Sequence, residues 1–312
     1  MRQKDIPPNW DTVLKPMIDN APKHSFTGED GVEICYIAFD NGHDKSIFIA
    51  PGVVEPAYKY VEFAYDFAQL GFNIFVVDHR SQGASGRIIP RSDIVYVKDF
   101  AHYVADLAQF VDEVHKQYPH VGNTTRYLLG NSLGGLISAN YIAQHQHPFS
   151  KVILSVPAMQ VNTFPLPEEI ARAATSFAQI LGLGKRKLPG PKFFSSEHFT
   201  TNRATSCRER FDINTKVFTE YPQTCITGIS FGWVGKIVKA SRFMENYAKA
   251  NVPVLLIQAA KDEVLKPGRQ RKYSEKVTEC TLKIYNEGKH NLLEEKDHTR
   301  DEVFKWIVDF LS

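Results

Sequence analysis

The feature that most constrains this chain is a rhythm: short apolar runs, each closed by turn residues, recur with helix-length segments between them. The runs are Ile47-Phe48-Ile49-Ala50, Ile74-Phe75-Val76-Val77, Tyr127-Leu128-Leu129, Val152-Ile153-Leu154, Val254-Leu255-Leu256-Ile257 and Leu282 to Tyr285. Most of them do not alternate apolar with polar, which suits strands covered on both faces. Between two of them, residues 58–70 place Val61, Ala64, Tyr65 and Ala68 at helical spacing, and Gly71 follows as a stop signal. Residues 98–118 and 134–145 read the same way, and the charged run around His298 reads as a final helix. Strands alternating with helices predict the α/β class: a mostly parallel central sheet with helices on both faces.

The rhythm breaks after Val156-Pro157 and resumes at Val252. From 158 to 232 no comparable strand run appears. That stretch has proline-rich turns (Phe164-Pro165-Leu166-Pro167, Leu188-Pro189-Gly190-Pro191) and one helical pattern, Glu168 to Leu181. Ile170, Ala173, Ala174, Phe177, Ile180 and Leu181 form its single apolar stripe. The expectation is a core domain built from 1–157 and 233–312, with 158–232 inserted as a mainly helical cap over the sheet.

The chemistry centres on Gly130-Asn131-Ser132-Leu133-Gly134-Gly135, directly after one strand run and directly before a helical stretch. A nucleophile at a sharp strand-to-helix turn is held in a strained conformation, with its hydroxyl above the sheet and the next helix's free N–H groups beside it. Serine needs a base to take its proton as it attacks. Of the 11 histidines, His290 sits in a loop just beyond the last strand run, where the loops of a parallel sheet gather. His79 also follows a strand run but precedes the nucleophile in a glycine-rich loop, while His102, His115, His145 and His147 fall in helical or surface contexts. The acid that orients the imidazole is expected between serine and histidine in the chain. Asp262, the first acidic residue after Val254–Ile257, fits, with Glu263 the neighbouring alternative. An oxyanion hole needs two backbone N–H donors. Leu133 supplies one by position, and Val53 in Pro51-Gly52-Val53-Val54-Glu55 is the candidate for the other.

Taken in order, these segments resemble the monoglyceride-lipase-like branch of the α/β-hydrolases, particularly the bacterial lysophospholipases. The likeness runs from about residue 25 to the end. It rests on the Pro51–Glu55 loop, on Asp78-His79-Arg80-Ser81-Gln82-Gly83-Ala84-Ser85-Gly86, on Gly130–Gly135 and on the Asp262 and His290 segments. It implies an α/β-hydrolase fold, with Ser132, Asp262 and His290 as catalytic triad and Val53 and Leu133 as oxyanion donors. Three positions depart from the usual pattern: Pro51 stands where monoglyceride lipases have His, Ser81 where Gly is usual, and Asn131 where His is usual. None removes a catalytic atom. The Asp78–Gly86 loop reads as a turn bracing the site.

The expected reaction is hydrolysis of a carboxylic ester bearing one long acyl chain, through an acyl-enzyme, with lysophospholipid preferred and monoacylglycerol second. No metal or organic cofactor is called for, because protein groups supply the proton transfer and the charge stabilisation. The cap is rich in aromatic residues (Phe164, Phe177, Phe193, Phe194, Phe199, Phe218, Phe231, Trp233). Phe177, Phe231 and Trp233 are the candidates to line an acyl chain, though all of these residues suit packing of cap on core equally well. Two rivals share the fold: a proline-type aminopeptidase, which would use Glu168, Glu169, Glu197, Glu209 or Glu220 to hold a substrate ammonium, and a small-ester carboxylesterase. A catalytically silent ligand-binding protein is a rival of another class, and the intact Ser/Asp/His set argues against it.

A net charge of +2 excludes the broad basic footprint of nucleic-acid binding and is compatible with brief contact at an anionic membrane surface. The N-terminal stretch places Pro7, Pro8 and Asp11 where a signal peptide needs an apolar core, and no apolar run reaches the roughly 18 residues of a membrane span. Four widely spaced cysteines, with no CxxC pair, read as scattered thiols. The expected location is cytoplasmic, at most peripheral on the inner face of the membrane.

Overall fold

A computed structural model describes the chain except for Arg91, Phe164, Pro165 and residues 190–198. Two short helices, α1 (Ile6–Asn9) and α2 (Lys15–Asn20), precede strands β1 (Lys23–Thr27), β2 (Glu33–Phe39) and β3 (Lys45–Ala50). There follow α3 (Val61–Ala68), β4 (Phe72–Val77), β5 (Ile94–Val95), α4 (Ala101–Gln117), β6 (Thr125–Asn131), α5 (Leu133–Gln144) and β7 (Lys151–Ser155). The chain then runs through α6 (Glu168–Ile180), α7 (Arg208–Glu220), β8 (Gly228–Ile229) and α8 (Phe231–Tyr247). It closes with β9 (Val254–Ala259), α9 (Gly268–Lys276), β10 (Cys280–Tyr285) and α10 (Asp297–Leu311).

Eight of the strands form one sheet, in the order β1-β2-β4-β3-β6-β7-β9-β10. β1 pairs antiparallel with β2, and β2 with β4; every pairing from β4 to β10 is parallel. Most of the runs read as doubly covered are so: each residue of β4 and β9 is buried, whereas the run Leu282–Tyr285 forms the edge strand β10 and leaves Lys283 and Ile284 exposed. Successive side chains point to opposite faces of the pleat, and this splits the core in two. Phe48, Phe75, Leu128, Leu154 and Leu256 meet α4, α5 and α8 on one face. Ile47, Ile74, Leu129, Ile153 and Leu255 meet the N-terminal helices, α3 and α10 on the other. Gly71, at φ +81°, ends the turn after α3 as its position in the sequence suggests.

Between β7 and β9 the chain leaves the sheet. β8 pairs with β5 in a small two-stranded sheet of its own, and α6 packs along α8. α8 begins at Phe231, before the boundary expected at 233, and continues to Tyr247, a helix that the sequence pattern did not single out. The apolar stripe of α6 faces solvent. Ile170 is 53%, Phe177 61% and Ile180 81% exposed, while Thr175 and Ala178, on another face of the helix, are buried. Phe164, Pro165, Phe193, Phe194, Glu197 and, from the turn Leu188-Pro189-Gly190-Pro191, Gly190 and Pro191 lie outside the described residues.

Candidate active site

The site is assembled where β3, β6, β9 and β10 end side by side, so that four loops distant in sequence meet at one edge. Ser132 occupies the turn between β6 and α5 with φ 50° and ψ −111°, a conformation that a side chain adopts only when its surroundings force it. Its N–H donates to the Ser155 carbonyl at 2.9 Å and its carbonyl accepts from Ala158 at 2.8 Å, which pins the turn to the end of β7. The turn also needs the glycines beside it. A Cβ on Gly134 would lie 1.8 Å from the Ala50 carbonyl oxygen, and one on Gly130 would lie 2.5 Å from the Gly134 carbonyl. Backbone approaches backbone at the elbow.

His290 lies 158 residues from Ser132, and its Nε2 is 2.9 Å from the Ser132 Oγ. Its Nδ1 is 2.7 Å from Asp262 Oδ2. An ionised carboxylate only accepts, so Nδ1 carries the proton and Nε2 is left to accept from the serine hydroxyl. The second Asp262 oxygen accepts the N–H groups of Val264 at 2.7 Å and Leu265 at 2.9 Å, which fixes the carboxylate plane. Glu263, the alternative acid, is largely exposed and pairs with Arg203 at 3.7 Å instead. Ser132 and His290 are 6% and 8% exposed, so the pair is shielded from bulk water. Residues 202–204, beyond β7, help to hold the histidine loop. The Ala204 carbonyl accepts from Asn291 N–H at 2.7 Å, and the Asn202 carbonyl accepts from the Lys289 ammonium at 2.9 Å.

The loop after β3 has three consecutive N–H groups, and two are occupied. Gly52 N–H donates to Glu55 Oε2 and Val54 N–H to Gln82 Oε1, each at 2.7 Å. The Val53 N–H between them has no acceptor among the described residues, nor has Leu133 N–H at the start of α5. Each is therefore free to meet an anionic oxygen. Val54 itself adopts φ 62°, an uncommon conformation for a β-branched residue, and the Gln82 bond holds it there.

The Asp78–Gly86 loop braces this arrangement. Asp78 accepts from Ala57 N–H at 2.7 Å and Ala84 N–H at 2.9 Å, and burial pushes its carboxyl up to about 6. Ser81, where glycine is usual, takes φ 63°, so the departure in sequence leaves the left-handed turn intact. His79 is buried, and its Nε2–H donates to the Pro51 carbonyl at 3.0 Å. Burial presses its pKa down to about 4 and keeps the ring neutral, so a strand-end histidine before the nucleophile carries the oxyanion loop on its back. Sequence reasoning gave it no such part. The signal available was its position, beside Asp78 directly after β4.

The three candidate acyl contacts are not brought together. Phe177 stands in solvent on α6, and Phe231 is half-buried at the start of α8. Trp233 is buried in the core, its indole N–H donating to the Tyr103 hydroxyl at 3.1 Å. Among the described residues no cluster of His, Cys, Asp and Glu is arranged to hold a metal ion.

The chain is 28% identical to the probable lysophospholipase L2 of Haemophilus influenzae over 96% of this chain and 95% of that protein. It is 27% identical to the human monoglyceride lipase over 85% and 82% of the two chains. In three dimensions it superposes on a soluble variant of monoglyceride lipase from Saccharomyces cerevisiae with a TM-score of 0.73 at 18% identity, covering 93% of this chain and 94% of that one. The fold is that of the α/β-hydrolases, as the sequence resemblance implies. Residues 41–297, from β3 to the start of α10, match the model of the Hydrolase_4 family, described as serine aminopeptidase, S33, and the chain belongs to that family.

Proposed function

We propose that this protein is a serine hydrolase that cleaves the carboxylic ester of a single-chain lipid through an acyl-enzyme, with Ser132 as nucleophile, His290 as general base and Asp262 orienting the histidine. The observation that carries this reading is the continuous relay Asp262–His290–Ser132, at 2.7 and 2.9 Å, opening beside two free N–H groups. As Ser132 attacks the ester carbonyl, His290 Nε2 takes its proton, and the imidazolium is stabilised by Asp262. The alkoxide forms against the N–H groups of Val53 and Leu133, each donor worth roughly 3–4 kcal/mol of barrier. His290 then returns the proton to the leaving alcohol. Water, deprotonated by the same nitrogen, hydrolyses the acyl-enzyme and releases a fatty acid.

Lysophospholipid is the preferred substrate and monoacylglycerol the second, in keeping with the names of the relatives. The aminopeptidase reading, which the family's description raises, needs a free acidic group for the substrate ammonium. Glu168 is already paired with Arg242 at 2.8 Å and Arg269 at 2.9 Å, Glu169 with Arg242, and Glu220 with the Trp10 indole at 2.7 Å. A hydrolysis panel of lysophospholipids, monoacylglycerols, short p-nitrophenyl esters and proline amides decides the matter. Fatty acid release is expected to exceed proline release at least a hundredfold in kcat/KM, and the reverse order would discard the lipid assignment.

Residues 158–232 act as a cap over the core, and the solvent-facing stripe of α6 is the part that meets a lipid surface. Next to it stand the exposed cations Lys185 and Arg186, suited to anionic headgroups. No helix among the described residues is long and apolar enough to cross a membrane, so the contact proposed is peripheral, on the inner face. The double variant Phe177→Asp, Ile180→Asp removes two side chains worth about 1.5–3 kcal/mol each when fully buried. It is expected to bind phosphatidylglycerol-containing vesicles at least tenfold more weakly and to keep its kcat on a water-soluble p-nitrophenyl ester. Equal vesicle binding by the two proteins in a sedimentation assay would remove the α6 face from the proposal.

A further inference from the structure

Glu55 lies just past the oxyanion loop, and its side chain is only 10% exposed. Its Oε2 accepts the Gly52 N–H at 2.7 Å, the Tyr60 hydroxyl at 2.8 Å and the Asn131 side-chain amide at 3.0 Å. Its Oε1 accepts the Lys59 ammonium at 2.7 Å and the Asn291 side-chain amide at 2.8 Å. Burial alone would raise this carboxyl, yet Lys59 and the surrounding donors hold it below the usual carboxylate range. Lys59 also reaches Glu294 at 3.0 Å, and burial pushes that second carboxyl up to about 7. Of the two carboxylates, Glu55 is therefore the one that holds its charge more readily.

Three of the five donors share a property that an ordinary structural ion pair does not require. Gly52 precedes Val53, Asn131 precedes Ser132, and Asn291 follows His290. They come from the ends of β3, β6 and β10, and the last lies 236 residues from Glu55. The amide oxygens of Asn131 and Asn291 are buried without a partner, so for each of these side chains Glu55 is the anchor. We propose that Glu55 is the positioning residue of this site, fixing the oxyanion donor, the nucleophile and the base relative to one another through one neighbour of each. Small errors in such an alignment are costly, because a displacement of about 1 Å can slow a reaction ~100-fold.

The inference rests on the serine-esterase reading, and its test separates the two. In Glu55→Gln neither oxygen can become NH2 without meeting a donor that cannot turn round: the Gly52 N–H on one side, the Lys59 ammonium on the other. Three quantities are measured on a p-nitrophenyl ester: the active-site fraction by burst titration, kcat and KM on those sites, and the Ki of an alkylboronic acid, whose tetrahedral adduct occupies the oxyanion hole. For Glu55→Gln the expected result is a kcat lower by about 10- to 100-fold, a KM within about threefold, and a boronate Ki that rises with the loss in kcat/KM. A purely structural role would instead lower the titratable fraction and leave the surviving sites with wild-type Ki. That outcome, or a variant matching wild type, overturns the inference alone. A wild-type protein with neither turnover nor boronate binding overturns the esterase reading and this inference with it. Should Glu55→Gln not fold, Asn131→Leu and Asn291→Leu cut two of the tethers from their other ends. Each is expected to weaken boronate binding about tenfold, and unchanged binding in both sinks the proposal.

Discussion

Ser132→Ala is expected to lower kcat for ester hydrolysis by roughly 10⁶ and to abolish labelling by a fluorophosphonate, while Asp262→Asn is expected to lower kcat by roughly 10⁴. The two losses differ because the two residues fail differently. Without the Ser132 hydroxyl there is no atom to carry the acyl group. With asparagine at 262, the side-chain NH2 can face Nδ1, which moves the imidazole proton to Nε2, 2.9 Å from the serine oxygen. A protonated Nε2 cannot take the hydroxyl proton, so the base is present in the wrong tautomer. His290→Gln matches the serine variant, and combining the two costs little more than either, because a relay cut once is already cut. What remains in all of them is the contribution of binding and the oxyanion donors. Rates measured at saturating p-nitrophenyl ester, with labelling as the second readout, check the series. A Ser132→Ala protein that kept more than about one part in a hundred of the wild-type kcat would mean that chemistry occurs elsewhere.

How much of this the sequence carried depended on the length scale of the signal. β4 and β9 are continuous apolar runs because helices cover both their faces, and such runs are visible in a few residues. β1 and β2 went unread. They form the antiparallel edge of the sheet, and in β1 only Phe26 of five residues is buried, too little to stand out from a loop. α7 and α8 were missed inside or across the boundary of the insertion, where proline turns and the absence of strands drew attention away from helical spacing. The stripe on α6 was legible as a stripe but not as an outward one, since periodicity shows that one face of a helix is apolar and says nothing about what that face meets. The three residues proposed as the triad could be picked out because each follows a strand in a fixed chain order. Glu55 was quoted only as the last letter of a motif, and its contacts with Asn131 and Asn291 span distances in the chain that no local pattern encodes.

Gly134→Ala is expected to disable the enzyme as thoroughly as a change to the chemistry itself, by adding one methyl group. Its Cβ would sit 1.8 Å from the Ala50 carbonyl oxygen, 2.4 Å from the carbonyl carbon and 2.6 Å from the Pro51 carbonyl oxygen. All three atoms are backbone, so no side chain can swing away. The first turn of α5 must instead back off the end of β3 by more than an ångström, and Leu133 opens α5 while Val53 lies in the loop that leaves β3. The two oxyanion donors are thereby parted. With each donor worth about 10²–10³ in rate, kcat falls by roughly 10²- to 10³-fold if one is lost and by up to about 10⁶-fold if both are. Overpacking of this kind also costs stability, about 1–3 kcal/mol, seen as a lower urea midpoint. Gly122→Ala supplies the comparison, because a Cβ there meets nothing within 4 Å, and its midpoint and kcat are expected to match wild type. The decisive measurement is kcat on the fraction of Gly134→Ala that is folded, counted by burst titration. If those sites turn over at the wild-type rate, the close approach of α5 to β3 is not what holds the two N–H groups in register, and the oxyanion assignment to Val53 and Leu133 fails with it.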